Sequence, residues 1–285
     1  MRVRHITEVF ILVSFITLGC SSSDGTSGTT GRTMTLRTRV DIKDDLTKPI
    51  PNALGWEVVI NEAYLSVGAF YYYSGDPVIS QQGYLREPNP RRNAFAWLSD
   101  FFIAPAYAHP GHYIEGAAMG QMLESTTIDL LEKSIELADG VGVTGLTNSA
   151  RITWQSPPKG KLANRLDGRV VLTRGTATKE TTVVYFIAQA TANDVVNGDG
   201  KAEVAGCAFG AEPGKIGVNL DGDGTVTLTL VPSVWFDQVD FAYVTPEATD
   251  PPSTDAVIDI AGTLAWEGFL RGFKKGTAYE FSYAQ

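Results

Sequence analysis

The sequence predicts an all-β fold: an antiparallel β-sandwich or jelly-roll-like domain with one or two short helices and a long aromatic-rich loop. Three observations predict it. Apolar and polar residues alternate with period two in several segments. Gly, Asp and Asn clusters punctuate those segments. About ten segments of strand character occur with little helical periodicity between them, the pattern of sandwiches and barrels.

In 34–42, Leu36, Val40 and Ile42 alternate with Arg37, Arg39 and Asp41. Such a strand has one buried and one wet face, as in antiparallel sheets. Segments 56–61 and 64–73 read as two more fully buried strands. The connection 75–125 follows, with a turn-rich stretch at 87–93 and an apolar aromatic run from Phe95 to Tyr107 that contains Trp97, Phe101, Phe102 and Ile103. Long loops in compact domains are functional or disordered, and these aromatics argue for packing on the sheet.

A helical pattern covers 129–138. In 150–154, Ala150, Ile152 and Trp154 alternate with Arg151 and Thr153. Segments 169–174, 181–189 and 202–209 read as buried strands, and in 225–231 Val226, Leu228 and Leu230 alternate with threonines. Strands are also expected at 239–244 and 256–260. A second helix is expected at 263–273, where Trp266, Phe269, Leu270 and Phe273 fall on one face and Gly276 lies just beyond as a stop.

The N-terminus carries a different signal. Met1–His5 is short and basic, and an apolar stretch runs from Val9 to Leu18, too short to span a membrane. It ends in Thr17-Leu18-Gly19-Cys20. This resembles the lipobox of bacterial lipoproteins, although Thr17 stands where Leu is usual. The resemblance implies removal of residues 1–19, acylation of Cys20, and a lasting anchor, since more than one acyl chain is needed for stable attachment. Ser21, rather than Asp, implies the outer membrane. Residues 20–33 then form the lipidated Cys and a Gly/Ser/Thr-rich tether, and 34–285 a single domain.

The whole chain has a net charge of −9, and loss of Arg2, Arg4 and Glu8 with the signal segment brings it to −10. That excludes nucleic acid as a natural partner, because such binding needs Lys and Arg to neutralise phosphates. With Cys20 acylated, Cys207 is the sole thiol, so no disulfide staples the fold.

Both histidines of the mature chain lie in one tetrapeptide, His109-Pro110-Gly111-His112. Pro and Gly at the centre favour a type II turn, which brings its first and fourth Cα atoms within about 7 Å. Both imidazoles can then reach one metal ion. Zinc usually needs four ligands, or three and water, so further donors are required. The nearby candidates are Glu115, Tyr113, Met119 and Met122, and the remote ones Cys207 and Glu62. Thioethers favour copper and carboxylates favour zinc. A Pro-Gly turn also forms without metal, Met119 and Met122 fit the core of a short helix, and Cys207 among small apolar neighbours fits a buried strand.

Asn219–Gly224 matches the first half of a calcium loop, but Leu230 stands where a bidentate Glu is needed. A Gly-rich hairpin explains it more simply, and Asn197–Gly200 reads as a turn. No nucleophile triad, phosphate loop or HExxH occurs. The expectation is therefore a non-enzymatic envelope lipoprotein that binds copper or zinc at the histidine turn and exchanges it with a metal-transport or receptor protein. The alternative is a structural or protein-interaction lipoprotein without a metal site.

Overall fold

The computed structural model describes residues 31–78, 114–244 and 257–285, which belong to one compact unit. Residues 1–30, with the expected signal segment and Cys20, lie outside the described residues, as do 79–113, with the aromatic run, His109 and His112.

Numbered in chain order, eight strands close a barrel. Around it run β3 (Glu57–Tyr73), β4 (Ala118–Met122), β7 (Gly140–Val143), β1 (Thr33–Ile42), β14 (Gly224–Leu230), β16 (Tyr279–Ala284), β12 (Glu203–Gly210) and β9 (Ser149–Trp154). Pairing of β9 with β3 completes the ring. The expected all-β class holds, but the sandwich does not: the sheet closes on itself. Alternation gives every strand an inner and an outer face, and that property is common to both architectures. Closure depends instead on long-range pairing. Nor is the sheet purely antiparallel, because β1 runs parallel to β14 and β12 parallel to β16.

An eight-stranded barrel has an interior just wide enough for side chains to fill. Here Leu36, Phe70, Tyr72, Ile152, Phe209, Leu228 and Phe281 are fully buried. Phe281 meets Phe70 edge-on at 5.4 Å, and Tyr72 meets Phe209 at 5.3 Å. Outward positions on β1 and β16 carry Arg37, Arg39, Glu280 and Ser282. On these two strands the apolar face is inside and the polar face outside, the reverse of the pattern in a membrane-spanning barrel.

The register defines two ends. Thr33, Tyr73, Ala118, Val143, Ser149, Gly210 and Ala284 lie at one end, which we call the tether end because residue 31 enters there. It also bears a two-stranded ribbon of β8 (Gly145–Thr147) and β13 (Val218–Leu220). The opposite end is capped by helices. α2 (Ser233–Phe236) packs on α3 (Leu264–Phe273), and Phe273 lies 5.0 Å from Trp154 and 5.1 Å from Trp235. Thr263 caps α3, its Oγ1 accepting a hydrogen bond from the Trp266 amide at 3.3 Å. The helix predicted at 263–273 is thus present within one residue.

β3 has 17 residues, longer than the barrel wall, and its first half carries a side sheet. There it pairs with β2 (Ile50–Pro51), β5 (Thr126–Asp129) and β10 (Val171–Lys179). β10 pairs with β11 (Thr182–Ala190), and β11 with β15 (Ile258–Asp259). Phe186 of β11 packs on Phe236 and Phe241, so barrel, side sheet and helices form one continuous core. A short helix, α1 (Ala163–Leu166), covers Tyr64 and Leu172 through Leu166.

Several expected elements differ. The two strands predicted at 56–61 and 64–73 are one, β3. The helix predicted at 129–138 is a turn followed by β6 (Ser134–Glu136), which pairs with β1. Asp129 Oδ1 accepts from the Leu131 amide at 2.9 Å, which favours a turn over a helical start. The strand predicted at 239–244 is a 3-10 turn over Phe241–Tyr243, because Asp240 Oδ1 accepts from the Ala242 amide at 3.1 Å. The connection drawn over 75–125 contains the barrel strand β4.

Candidate functional site

The long connection leaves the barrel after Tyr73 and returns just before Ala118, and its two flanks are tied together at the tether end. The Ser74 amide donates to the Ala117 carbonyl at 3.0 Å, the Gly75 amide to the Glu115 carbonyl at 2.8 Å, and the Ala117 amide to Ser74 Oγ at 2.9 Å. Asn148 Nδ2 donates to the Ser74 carbonyl at 2.9 Å, and Ser149 Oγ to the Gly75 carbonyl at 2.6 Å. A side chain on Gly75 would collide with the Ile114 carbonyl oxygen, 2.1 Å from its Cβ position. The clamp therefore needs a residue without Cβ there.

Beside the clamp lies a charged cluster on the outer wall. Alternation along β3 sends Phe70 and Tyr72 inward and Tyr71 and Tyr73 outward. Tyr71 pairs directly with Arg151 of β9. The guanidinium sits 5.2 Å from the Tyr71 ring centroid and 5.1 Å from that of Tyr73, whose hydroxyl it also hydrogen-bonds. Arg151 Nη2 lies 2.6 Å from Glu115 Oε1, and Nη1 lies 3.4 Å from Glu203 Oε2. Asn197 Nδ2 donates to the other Glu203 oxygen at 3.0 Å. Burial pulls the Arg151 pKa down, but Tyr73, Glu203 and Glu115 together outweigh it and hold the cation firmly. Burial also pushes the Tyr73 hydroxyl up, so it stays protonated. A cavity of about 660 Å³ beside Glu115 and Glu203 is lined further by Asn197, Asp199, Lys201 and Lys274.

The predicted site residues separate. Glu115 is the one brought to the clamp, and its carboxylate already serves Arg151. Met119 and Met122 lie on β4, a strand and not a helix, with 9% and 1% exposure. A spacing of three on a strand would send them to opposite faces. Tyr73 pairs with Ala118 and Tyr72 with Gly120, so Met119 is the extra residue of a β-bulge, and both methionines join the core. Cys207 is fully buried on β12, its Sγ 3.7 Å from the Val204 carbonyl, and burial pushes its thiol up to about 12. Glu62 pairs with Arg174 at 3.3 Å on the side sheet. Cys20, His109, His112 and Tyr113 lie outside the described residues. Among the described residues, no group of three or more His, Cys, Asp and Glu side chains is arranged to hold a metal ion.

The half-calcium loop at 219–224 has other duties. Asp223 Oδ1 accepts from the Thr35 amide at 2.8 Å, Asp221 Oδ1 accepts from Gln285 Nε2 at 2.9 Å, and Leu230 is fully buried. It is also not a hairpin, since β13 pairs with β8 and β14 with β1 and β16. Asn197–Gly200 is the expected turn, with Asn197 Oδ1 accepting from the amides of Asp199 and Lys201. Arg151, Tyr73 and Glu203 escaped the sequence reading. Arg151 reads there as one more wet-face residue, and nothing in the order of residues announces that Glu203 will sit one strand away.

The chain matches no protein-family model, no curated protein and no solved structure. Among the described residues, no helix is long and apolar enough to cross a membrane.

Proposed function

We propose that this chain is a cell-envelope lipoprotein, anchored through Cys20, that binds a transition-metal ion through His109 and His112 and acts in metal binding or handover rather than catalysis. The observation that carries the reading is the gathering of both mature imidazoles into one Pro-Gly turn. His112 precedes by two residues Ile114, where the described chain resumes beside the clamp. A site needs its ligands on a supported backbone, and the clamp ties the chain beside the turn to a rigid barrel.

The positions of the other candidates sharpen the choice of metal. Met119, Met122 and Cys207 are packed in the core, so soft sulfur ligands are not offered at the surface. Imidazole with oxygen ligands suits zinc or copper(II) rather than copper(I). Glu115 would join only by exchanging Arg151 for the metal. The rival reading is docking of a partner protein by the aromatic run Phe95–Tyr107, and the same clamp favours it, since both ends of that connection are fixed.

Calorimetry decides between them. The metal-free mature protein is titrated with Zn(II), Cu(II) and Cu(I), beside His109→Ala/His112→Ala. The metal reading expects at least tenfold weaker binding in the double variant. Equal, micromolar-or-weaker affinity in both proteins leaves the docking reading.

A further inference from the structure

We propose that the tether end of the barrel is a membrane-docking face, on which Leu146 and Ile216 contact the lipid bilayer around the point where the chain emerges, with Val141 beside them on the adjoining wall. The proposal rests on the lipoprotein reading of Cys20. Three observations support it.

First, the chain enters the barrel at this end. The Arg32 amide donates to Thr144 Oγ1 at 3.0 Å, the Thr144 amide donates to the Arg32 carbonyl at 3.0 Å, and Thr33 pairs with Val143. Residues 21–30 separate Cys20 from Gly31 at this entry point, and the span from Cys20 to Gly31 extends at most about 40 Å. A lipid on Cys20 therefore holds the tether end within about 40 Å of the bilayer, closer than the tether allows for the opposite, helical end.

Second, large apolar side chains are exposed around that point. Leu146 is 50%, Ile216 45% and Val141 52% exposed. Leu146 lies on the β8–β13 ribbon, two residues after Thr144, and its Cδ1 is 3.8 Å from the Cβ position of Gly217, the neighbour of Ile216. Val141 borders a groove of about 270 Å³ on the adjoining wall, lined also by Thr33, Ala118, Met119 and Val143. Exposed apolar side chains in water are tolerated singly, but their grouping at an attachment point marks a contact surface.

Third, the same end carries Glu212, Asp221 and Asp223 as well as Arg32 and Lys215. Among the described residues of this end the charges are mixed rather than uniformly basic. The proposed contact is therefore apolar rather than electrostatic, and a neutral lipid is the appropriate probe.

The test uses the full lipidated protein in phosphatidylcholine vesicles with brominated acyl chains. A single environment-sensitive fluorophore is placed at Leu146→Cys, at Ile216→Cys, or at Val183→Cys as a control. Cys207 is fully buried and Cys20 carries the lipid, so labelling is selective. Val183 is 47% exposed, and through Thr178 it lies level with Glu57, the first residue of β3, whereas the tether end lies at Tyr73, its last. All three positions are exposed, so the labels do not disturb the core. Mass spectrometry of the N-terminal peptide reports acylation independently. The proposal expects at least twofold stronger bromolipid quenching at 146 and 216 than at 183. Equal, weak quenching at all three positions in an acylated protein overturns the docking face and leaves the anchor standing. An unacylated Cys20 overturns both.

Discussion

Arg151 on β9 faces Glu203 on β12 with Nη1 and Oε2 3.4 Å apart, and the two side chains are only 12% and 7% exposed. The pair lies on the outer wall, yet Tyr71, Tyr73 and the clamp close over it. Removing one member of a buried pair leaves an uncompensated charge, which costs about 3–5 kcal/mol. Glu115, the second carboxylate on Arg151, is 38% exposed, and exposed pairs contribute about 0–1 kcal/mol. Urea denaturation is therefore expected to show a loss of about 3 kcal/mol for Arg151→Ala and under about 1 kcal/mol for Glu115→Ala. The neutral pair Arg151→Met/Glu203→Gln is expected to recover most of the loss. Similar losses in the two single variants would contradict this ranking.

A second prediction concerns the helical cap. A Cβ added to Gly272 of α3 would lie 2.4 Å from the Val234 carbonyl oxygen and 2.7 Å from the Trp235 Cα. Alanine gains about 1 kcal/mol of helix propensity over glycine, whereas overpacking costs about 1–3 kcal/mol. The obstructing atoms are backbone and cannot rotate away, so the clash wins. Gly272→Ala is expected to lower stability by about 1–2 kcal/mol despite the better propensity. Gly276→Ala is the control, because its added methyl meets nothing nearer than 3.9 Å, and it is expected to change stability by under about 0.5 kcal/mol. Comparable melting temperatures for the two variants would refute the argument.

Cys207 supplies a pH dependence. Burial raises its thiol from 9.0 to about 12, and the hydroxyls of Tyr72 and Tyr279 are raised by burial in the same way. A folded-state pKa above the unfolded one favours the protonated form. The stabilisation is complete below the unfolded value and is lost as pH rises through the folded value. Stability is thus expected to fall between about pH 9 and 12, more steeply in the native protein than in Cys207→Ala. At pH 8 a thiol reagent is expected to leave the native protein unmodified and to label one thiol per mature chain in urea. Fast labelling without urea would place the thiol in water.

The sequence exposed the periodic parts of this fold and hid the parts that depend on distant pairing. β1, β9 and β14 alternate cleanly, and each forms within one residue of its expected bounds. The α3 stripe was equally legible, because Trp266, Phe269, Leu270 and Phe273 repeat at helical spacing. Barrel closure was not, since Tyr73 and Ser149 are 76 residues apart when they pair and no local pattern records that. Residues 129–138 misled for a related reason: Leu130, Leu131 and Ile135 share a helical stripe, but β1 offered Ile135 a strand partner at Val40. Of the candidate site, sequence clustering singled out His109 and His112, which lie outside the described residues, and their neighbour Glu115, which the structure places at the clamp. The β4 bulge, which turned Met119 inward, is a property of pairing with β3.

The last prediction separates the histidines from the sulfur ligands. If Met119 or Met122 served the metal, each would have to leave a core site where it is 9% or 1% exposed. Met122 pairs with Phe70 at the bottom of β4, and Met119 Cε lies only 2.5 Å from the Cβ position of Gly145, so both side chains fill space. Leucine is close to methionine in volume, and such swaps usually cost less than about 1.5 kcal/mol. Met119→Leu and Met122→Leu are therefore expected to fold and to bind Zn(II) and Cu(II) within about twofold of the native protein, a difference under about 0.5 kcal/mol. His109→Ala/His112→Ala is expected to lose at least tenfold. Isothermal titration of the native protein and the three variants at one pH makes the comparison. A tenfold loss of copper affinity in either methionine variant would show that a thioether leaves the core to bind metal, and the site would then suit copper(I).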